Sequence, residues 1–256
     1  MSVTRRDFVR LAATGAVSGA ILPTVANAAV PTGRIKAIAF DSFPIFDPRS
    51  VAALVQKLVP ERGSDFMNEW RTRQFEYTWL RVTAKQYADF WQVTSDAMVY
   101  AAARVNVHLS VEQSEQLMNT YLELKPWPDV VPALTQLKRS GYRLCFLSNF
   151  TPEMLHACIQ SAGLDGMFEK ALSTDLAKTF KPDPRAYQLG PDALGLGKDE
   201  ILFAPFAGWD AAGGKAFGFP TFWVNRLNAP PEQLGQTPDG AGAGLSDLVA
   251  FLRSEA

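Results

Sequence analysis

An apolar segment of the sequence, residues 35–40, ends abruptly at Asp41. A carboxylate in that place can be a turn residue, a metal ligand or a nucleophile. Turn or helix-cap residues are the commonest of the three after a strand, so the assignment depends on which side chains the fold brings beside Asp41.

Other polar side chains lie at similar breaks in the sequence. Ser148 and Asn149 follow the apolar run 143–147, directly before a predicted helix whose N-terminus can hold an anion. Lys181 lies in the segment TFKPDPRAY, and Asp210 lies in AGWDAAGGKAFGFP. Because the chain has only two histidines, we expect any catalysis to rely on carboxylates, lysine and arginine.

The apolar pattern predicts the elements that position these residues. The run 35–40 lacks polar alternation, which is typical of a buried parallel strand, and strands alternate with helices after Pro128. The intervening part has the helical period, with predicted helices at 51–59, 65–82, 86–105 and 110–124. The sequence therefore predicts an α/β fold with a doubly wound parallel-sheet (Rossmann-like) core and a helical-bundle cap inserted after the first strand.

This fold class predicts where a site lies and how the chain divides. Ligands of doubly wound sheets bind beyond the carboxyl ends of the strands, so we expect the polar residues above to meet there. Further strands are predicted at 201–206 and 221–224, and a Pro/Gly-rich surface loop between Asn228 and Gly244. The predicted domains are a core of 35–49 and 126–256, a cap of 50–125 and an N-terminal segment of 1–28.

The N-terminal segment has the features of an export signal. The twin arginine of TRRDFVR precedes an uncharged stretch at 11–25, and Ala26-Asn27-Ala28 is a small-residue cleavage pattern. We predict a twin-arginine signal peptide cleaved near Ala28, the twin-arginine export machinery as a partner, and a periplasmic location. The alternative is a cytoplasmic amphipathic N-terminus. The stretch is too short and too rich in Gly and Ala to predict a permanent membrane span.

Composition excludes several classes of partner. The net charge of -1 does not favour binding to nucleic acid or to an anionic membrane surface. Cys145 and Cys158 do not have the spacing or the accompanying histidine ligands of a zinc site, so we predict that both are buried free thiols. The sequence does not determine the oligomeric state, for which a homodimer is one alternative.

The order of the motifs is similar to that of a known superfamily. Asp41 after a buried strand, a helical cap, LSNF, KPDPRAY and GWDAAG resemble the haloacid dehalogenase superfamily. The cap stretch EWRTRQFEYTWLR, with LFAPFAGWDAAGGKAFGFPTFWVNR and EQLGQTPD, resembles its type II branch, the 2-haloacid dehalogenases. The resemblance runs from about Ile35 to the C-terminus, and the cap stretch is its most specific part.

The residue types favour dehalogenation over phosphate chemistry. Phosphatases of this superfamily carry a second Asp two residues after the nucleophile, to protonate the leaving alcohol, and here that position is Phe43. Asp210 has no acidic residue beside it to help hold magnesium. Halide leaves unprotonated, so a carboxylate can displace it without a general acid. We therefore expect a metal-free, cofactor-free site in which Asp41 forms an ester.

The resemblance implies a role for each site residue. Asp41 is the nucleophile, Lys181 its countercharge, and Asp210 the acid that orients or activates water. Arg71 and Asn149 receive the halide. The substrate-binding positions, which include backbone amides at Ser42 and Phe43, are Ser42, Phe43, Thr72, Phe75, Phe90, Ser148, Tyr187 and Trp209.

The predicted reaction converts a small (S)-2-haloalkanoic acid and water into an (R)-2-hydroxyalkanoic acid and halide. Two alternatives remain open at this stage. One is a related hydrolase that acts on another activated small carboxylate, and the other is a periplasmic small-carboxylate binder that has lost turnover. Release of halide from 2-chloropropionate would distinguish the dehalogenase from both alternatives.

Three positions depart from the family pattern. Ile45 stands where the family has Thr or Ser, and Pro205 and Ala207 stand where it has Ser and Asn. These changes remove hydrogen-bonding groups near the nucleophile and water, while the residues for halide displacement are retained. We therefore expect the hydrolytic half of the reaction to be the more affected.

Overall fold

A computed structural model describes residues 34–254 and contains a parallel sheet at its centre. Its strands are β1 Ala37–Phe40, β2 Arg143–Ser148, β3 Lys170–Ser173 and β4 Ile201–Ala204. They lie in the order β3-β2-β1-β4, and all three pairings are parallel. The carboxyl ends of β1, β2 and β4 therefore lie side by side.

Two short strands extend the parallel arrangement beyond β4. Strand β5, Phe222–Val224, pairs with β6, Gly240–Gly242, and a bridge between Phe203 and Thr221 connects this pair to β4. The loop predicted between Asn228 and Gly244 is thus partly wrong, because it contains β6. The sequence Gly-Ala-Gly has no hydrophobic alternation, so that strand is formed by backbone pairing alone. Strand β3 was not predicted either, since it is short and half exposed.

Both faces of the sheet are buried, which explains the uninterrupted apolar runs. Ile38 and Phe40 face one hydrophobic cluster, and Ala37 and Ala39 face the other. Helices cover these faces because the parallel strands need crossover connections. The helices of the core are α5 Val130–Arg139, α6 Pro152–Ser161, α7 Pro184–Leu194, α8 Gly208–Phe217 and α9 Leu245–Ser254. The fold class predicted from the sequence is confirmed.

Four helices lie between β1 and α5, where the cap was predicted. They are α1 Arg49–Leu58, α2 Gly63–Thr83, α3 Phe90–Arg104 and α4 Val111–Thr120. Helix α3 begins later than predicted because Asp89 caps it, accepting from the Gln92 amide at 2.8 Å. The predicted capping box of Ser110 and Gln113 is present at the start of α4.

Side chains from distant segments hold the loop that follows β1. Arg226 donates two hydrogen bonds to the carbonyl of Pro44, through Nε at 3.1 Å and Nη2 at 2.7 Å. Trp127 donates from its indole nitrogen to the carbonyl of Phe43 at 2.9 Å. The guanidinium of Arg226 also lies 4.7 Å from the centre of the Trp127 ring. These contacts fix the backbone next to Asp41.

Cys145 and Cys158 are buried free thiols, as predicted, and burial raises the pKa of each to about 12. Within residues 34–254 no helix is both long and apolar enough to cross a membrane. The predicted signal peptide, residues 1–28, lies outside the described residues. Its cleavage, the export partner and the domain boundaries stay predictions.

Candidate active site

A cavity of about 440 Å³ lies between the helices inserted after β1 and the carboxyl ends of the strands. Asp41, Asn149, Lys181 and Asp210 reach it from the sheet side, and Arg71 reaches it from α2. These five residues come from distant parts of the chain. The parallel topology brings the four core residues to one edge of the sheet as predicted, and α2 places Arg71 opposite them.

Lys181 joins the two carboxylates of the site. Its Nζ donates to Asp41 Oδ1 at 2.8 Å and to Asp210 Oδ2 at 2.5 Å. The side chains of Lys181 and Asp210 are almost fully buried, whereas the side chain of Asp41 is 13% exposed towards the cavity. The second oxygen of Asp41 accepts from the backbone amide of Phe43 at 3.3 Å. Asp41 is thus ionically paired and still accessible to a small molecule.

Burial and charge act in opposite directions on this group. Burial disfavours the ammonium of Lys181, but Asp210 and Asp41 raise its pKa above the ordinary value, so it stays charged. Burial also raises the pKa of Asp210 to about 6, against the opposing effect of Lys181. Tyr187 donates to Asp210 Oδ1 at 2.8 Å, and burial raises the pKa of that phenol well above its usual range. Tyr187 therefore remains a donor to Asp210.

The end of β2 supplies a hydroxyl and an amide. Ser148 shares a 2.6 Å hydrogen bond with the hydroxyl of Ser42. The Oδ1 of Asn149 accepts from the Lys181 amide at 3.1 Å and from Thr174 Oγ1 at 3.3 Å. Because its oxygen is occupied in this way, Asn149 has its Nδ2 group available as a donor at the cavity wall.

Arg71 differs from Lys181 in having no internal partner. It lines the cavity and forms no hydrogen bond or ion pair with any residue in the range 34–254. Among the cavity-lining residues that the structure describes, these two are the only cations. A free guanidinium of this kind can bind an anion that enters the cavity.

Aromatic rings form most of the remaining wall. Phe75 lies 5.4 Å from the ring of Trp209 and Phe90 lies 5.7 Å from the ring of Phe150, measured between ring centres. The first ring of each pair belongs to the helices inserted after β1, and the second to the core. Phe43 packs against Phe150 as well, at 5.3 Å. These rings make the wall of the cavity near Asp41 largely apolar.

The structure places the predicted site residues in two groups. The side chains of Ser42 and Tyr187 are fully buried and do not line the cavity, but each bonds a residue that does. The other predicted residues all line it: Asp41, Phe43, Arg71, Thr72, Phe75, Phe90, Ser148, Asn149, Lys181, Trp209 and Asp210. Their individual roles stay predictions.

Several cavity residues were not predicted. Phe150 and Phe206 line the cavity, and their places at or just after the ends of predicted strands were a signal that could have identified them. Trp223, Asn225, Leu227, Ala229 and Glu232 also line it, and no local sequence pattern indicates that.

Only one of the three departures from the family pattern faces the cavity. Ile45 and Pro205 are buried outside its lining, while Ala207 lines it. Both carboxylate oxygens of Asp210 are bound, by Lys181 and Tyr187. Ala207 therefore offers no hydrogen-bonding side chain to water in the cavity.

The arrangement suits displacement by a carboxylate. Asp41 is paired with Lys181 and partly accessible, and Arg71 and Asn149 offer donors for a leaving anion. No group of three or more His, Cys, Asp or Glu side chains in residues 34–254 could hold a metal ion. The expected independence of metal remains a prediction.

The raised pKa of Asp210 predicts an acid limb in the pH profile of ester hydrolysis. In the role that the resemblance implies, Asp210 must be ionised to take a proton from water, and in the free enzyme its pKa is about 6. Asp41 carries no charge in the ester and no longer raises this pKa, so we expect the rate of ester breakdown to fall about tenfold per pH unit below a pKa that is lower than in the free enzyme. Quenched-flow measurement of adduct decay from pH 3.5 to pH 8 tests this, and a rate independent of pH over that range would contradict it.

The class of protein follows from comparison with known sequences. The pattern of the haloacid dehalogenase-like hydrolases matches residues 50–218, and the chain belongs to this family. It is 39% identical over 223 residues to the (S)-2-haloacid dehalogenase of Pseudomonas sp. (strain YL), covering 87% of this chain and 96% of the relative. It is also 39% identical over 207 residues to haloacetate dehalogenase H-2 of Moraxella sp. (strain B), covering 80% of this chain and 92% of that one.

A solved structure shows the same similarity in three dimensions. It is the L-2-haloacid dehalogenase of Xanthobacter autotrophicus with chloropropionic acid covalently bound. The two chains superimpose with a TM-score of 0.80 and 32% sequence identity, over 87% of this chain and all of the other. The superfamily and the type II branch inferred from the sequence are confirmed.

Proposed function

We propose that this protein hydrolyses (S)-2-haloalkanoic acids to (R)-2-hydroxyalkanoic acids and halide. The observation that carries the proposal is the partly accessible Asp41, held by Lys181 at 2.8 Å, in a cavity where Arg71 has no partner among the described residues. The names of the relatives support the choice of a haloacid as substrate.

In the first step Asp41 acts on the substrate. Its carboxylate oxygen attacks Cα from the side opposite the halogen, the new C–O bond forms, and the carbon–halogen bond breaks. Halide leaves with the bonding electron pair, and Arg71 and the Nδ2 group of Asn149 stabilise its charge. The substrate carboxylate binds at Ser148 and at the backbone amides of the Ser42–Phe43 turn. No general acid is required, because halide leaves without a proton.

In the second step water attacks the ester carbonyl of Asp41, and Asp210 takes the proton. Lys181 lies between both carboxylates and stabilises the negative charge that moves between them. The carbonyl–oxygen bond at Asp41 breaks and the leaving oxygen takes the proton back from Asp210, so the bond to Cα survives. The second proton of the water passes from the Asp41 carboxyl to solvent, which restores the carboxylate. Configuration at Cα is therefore inverted only once.

Measurement of halide release from (S)-2-chloropropionate tests the proposal, with the configuration of the product read by chiral chromatography. We expect stoichiometric halide and the (R) hydroxyacid. Binding without turnover would instead support a carboxylate-binding protein. Absence of halide release, with turnover of another activated carboxylate, would support a related hydrolase.

The alanine at position 207 predicts which half-reaction is slow. A hydrogen bond lost from water in a buried site costs about 1–3 kcal/mol, which is roughly tenfold to a hundredfold in rate. We expect a burst of halide near one equivalent, followed by slower turnover, with the Asp41 ester detectable by mass spectrometry of quenched enzyme. Ala207→Asn should speed the slow phase. Halide release that is linear from the first turnover, without an ester, would contradict this prediction.

We also propose that the protein is exported in folded form to the periplasm by the twin-arginine machinery. The segment TRRDFVR and the Ala26-Asn27-Ala28 pattern support this. Replacement of Arg5 and Arg6 by Lys should leave full-length precursor in the cytoplasm, and unchanged export would overturn the proposal. The homodimer remains a prediction.

A further inference from the structure

The cavity is larger than a three-carbon haloacid requires. At no more than about 30 Å³ per non-hydrogen atom, 2-bromopropanoate fills about 180 Å³. The cavity measures about 440 Å³, so more than half of it would remain unfilled. This excess does not come from separation of the two layers of the molecule. Tyr87, which precedes α3, donates to Asp175 after β3 at 2.7 Å, and Phe75 packs on Trp209 at 5.4 Å.

The excess space continues from the nucleophile along an apolar wall. Phe206 and Ala207 line the cavity after β4, Trp223 lines it from β5, and Leu227 lines it farther along the same connection. The ring of Phe206 lies 5.7 Å from that of Phe43, two residues after Asp41 in the chain. We call the space along Phe206, Ala207, Trp223 and Leu227 the apolar path. Ala207 widens this path, because a larger side chain at position 207 would occupy it. A substituent on Cα can therefore extend along Phe206 and Ala207.

The outer end of this path selects against negative charge. Glu232 lines the cavity beside Gly208, where a Cβ would lie 2.9 Å from Glu232 Cγ. The two cations of the lining lie at the reaction centre, Lys181 being already paired with both carboxylates. Burial along this wall stabilises the binding of an apolar substituent. A second carboxylate on the substrate would be repelled by Glu232 and would have no cation to bind.

On the basis of the proposed dehalogenase function, we infer that the preferred substrates are 2-haloacids with an extended, uncharged apolar group on Cα. A butyl or phenylmethyl group has the right size. At the same packing, 2-bromo-3-phenylpropanoate fills about 360 Å³, which the cavity accommodates. The halide and carboxylate remain at Arg71, Asn149 and Ser148, and the group on Cα lies against Phe206, Ala207 and Trp223.

The test compares (S)-2-bromopropanoate, (S)-2-bromohexanoate and (S)-2-bromo-3-phenylpropanoate, which share one leaving group. The value of kcat/KM reports only steps up to halide loss, so slow ester hydrolysis does not affect the comparison. We expect kcat/KM to rise about threefold per methylene, or about 30-fold from the methyl to the butyl substrate. Equal or lower values for both larger substrates would overturn the inference while leaving the dehalogenase function intact. Absence of halide from all three would overturn the function itself.

A variant locates the apolar group within the cavity. Ala207→Leu fills the path beside Phe206, so the ratio of kcat/KM for the phenylmethyl substrate to that for the methyl substrate should fall at least tenfold. Ala53→Leu makes the same change on the exposed face of α1 and should leave the ratio unchanged. A ratio that Ala207→Leu does not alter would contradict the placement, provided that circular dichroism shows the variant to be folded.

Discussion

Halide release falls by more than about 10⁴-fold when Asp41 is replaced by alanine, because the proposed reaction has no other nucleophile. The protein should remain folded. Asp41 is partly accessible, and after its removal Lys181 still has its 2.5 Å contact with Asp210, so no buried ammonium is left unpaired. Steady-state halide assays and thermal unfolding of the same preparation measure both effects.

Asp47→Ala is the matched control. Asp47 lies in the same connection after β1 but pairs with Arg49 at the surface and does not line the cavity. We expect its kcat/KM to stay within about twofold of the wild-type value. A comparable loss in both variants would show that the connection, not the Asp41 carboxylate, is what the reaction needs.

An isotope experiment separates ester formation from direct attack by water. In a single turnover in heavy-oxygen water, the label should enter the Asp41 carboxylate and be absent from the hydroxyacid. This follows because the oxygen bonded to Cα comes from Asp41 in the first step. Label found in the product of the first turnover would mean that water attacks Cα and that Asp41 is not the nucleophile.

Lys181→Met should reduce kcat/KM by about 10²- to 10³-fold, because it removes the charge that supports Asp41 while retaining an apolar chain of similar length. The variant also leaves two neighbouring carboxylates without their cation. Lys181 lowers the pKa of Asp210, so in the variant that pKa rises further above its ordinary value.

The stability of the Lys181→Met variant should then depend on pH in a defined direction. An Asp whose pKa is higher in the folded than in the unfolded state binds more protons when folded. The free energy of unfolding therefore falls as the pH rises, starting near about pH 4 and continuing through the raised pKa. Urea unfolding at several pH values measures this dependence, and wild-type protein should show a weaker one.

Lys178→Met is the control for the lysine substitution. Lys178 is exposed and pairs with Asp175 at 2.8 Å, three residues before Lys181 in the chain. Its kcat/KM should change little, because exposed ion pairs contribute less than about 1 kcal/mol. Retention of full activity by Lys181→Met would show that the lysine has no part in the reaction.

The elements of the core could be predicted because buried elements have a recognisable local pattern of apolar residues in the sequence. A parallel strand buried on both faces must be apolar throughout, so 35–40 and 143–147 were recognisable. Helix starts were recognisable at Ser110 and Thr151, whose side chains cap the next turn. Strand β6 could not be predicted in this way, because Gly-Ala-Gly has no side-chain pattern and pairs only through its backbone.

The sequence by itself determined the residue types of the site and the edge of the sheet where they meet. Asp41, Asn149 and Asp210 follow strands of a parallel sheet, whose ends necessarily lie together. Tertiary structure alone decided that Lys181 contacts both carboxylates and that Arg71 remains unpaired among the described residues. It also decided that the cavity extends along Phe206. Such distances depend on how elements remote in sequence pack against one another, and spacing along a chain does not encode that packing locally.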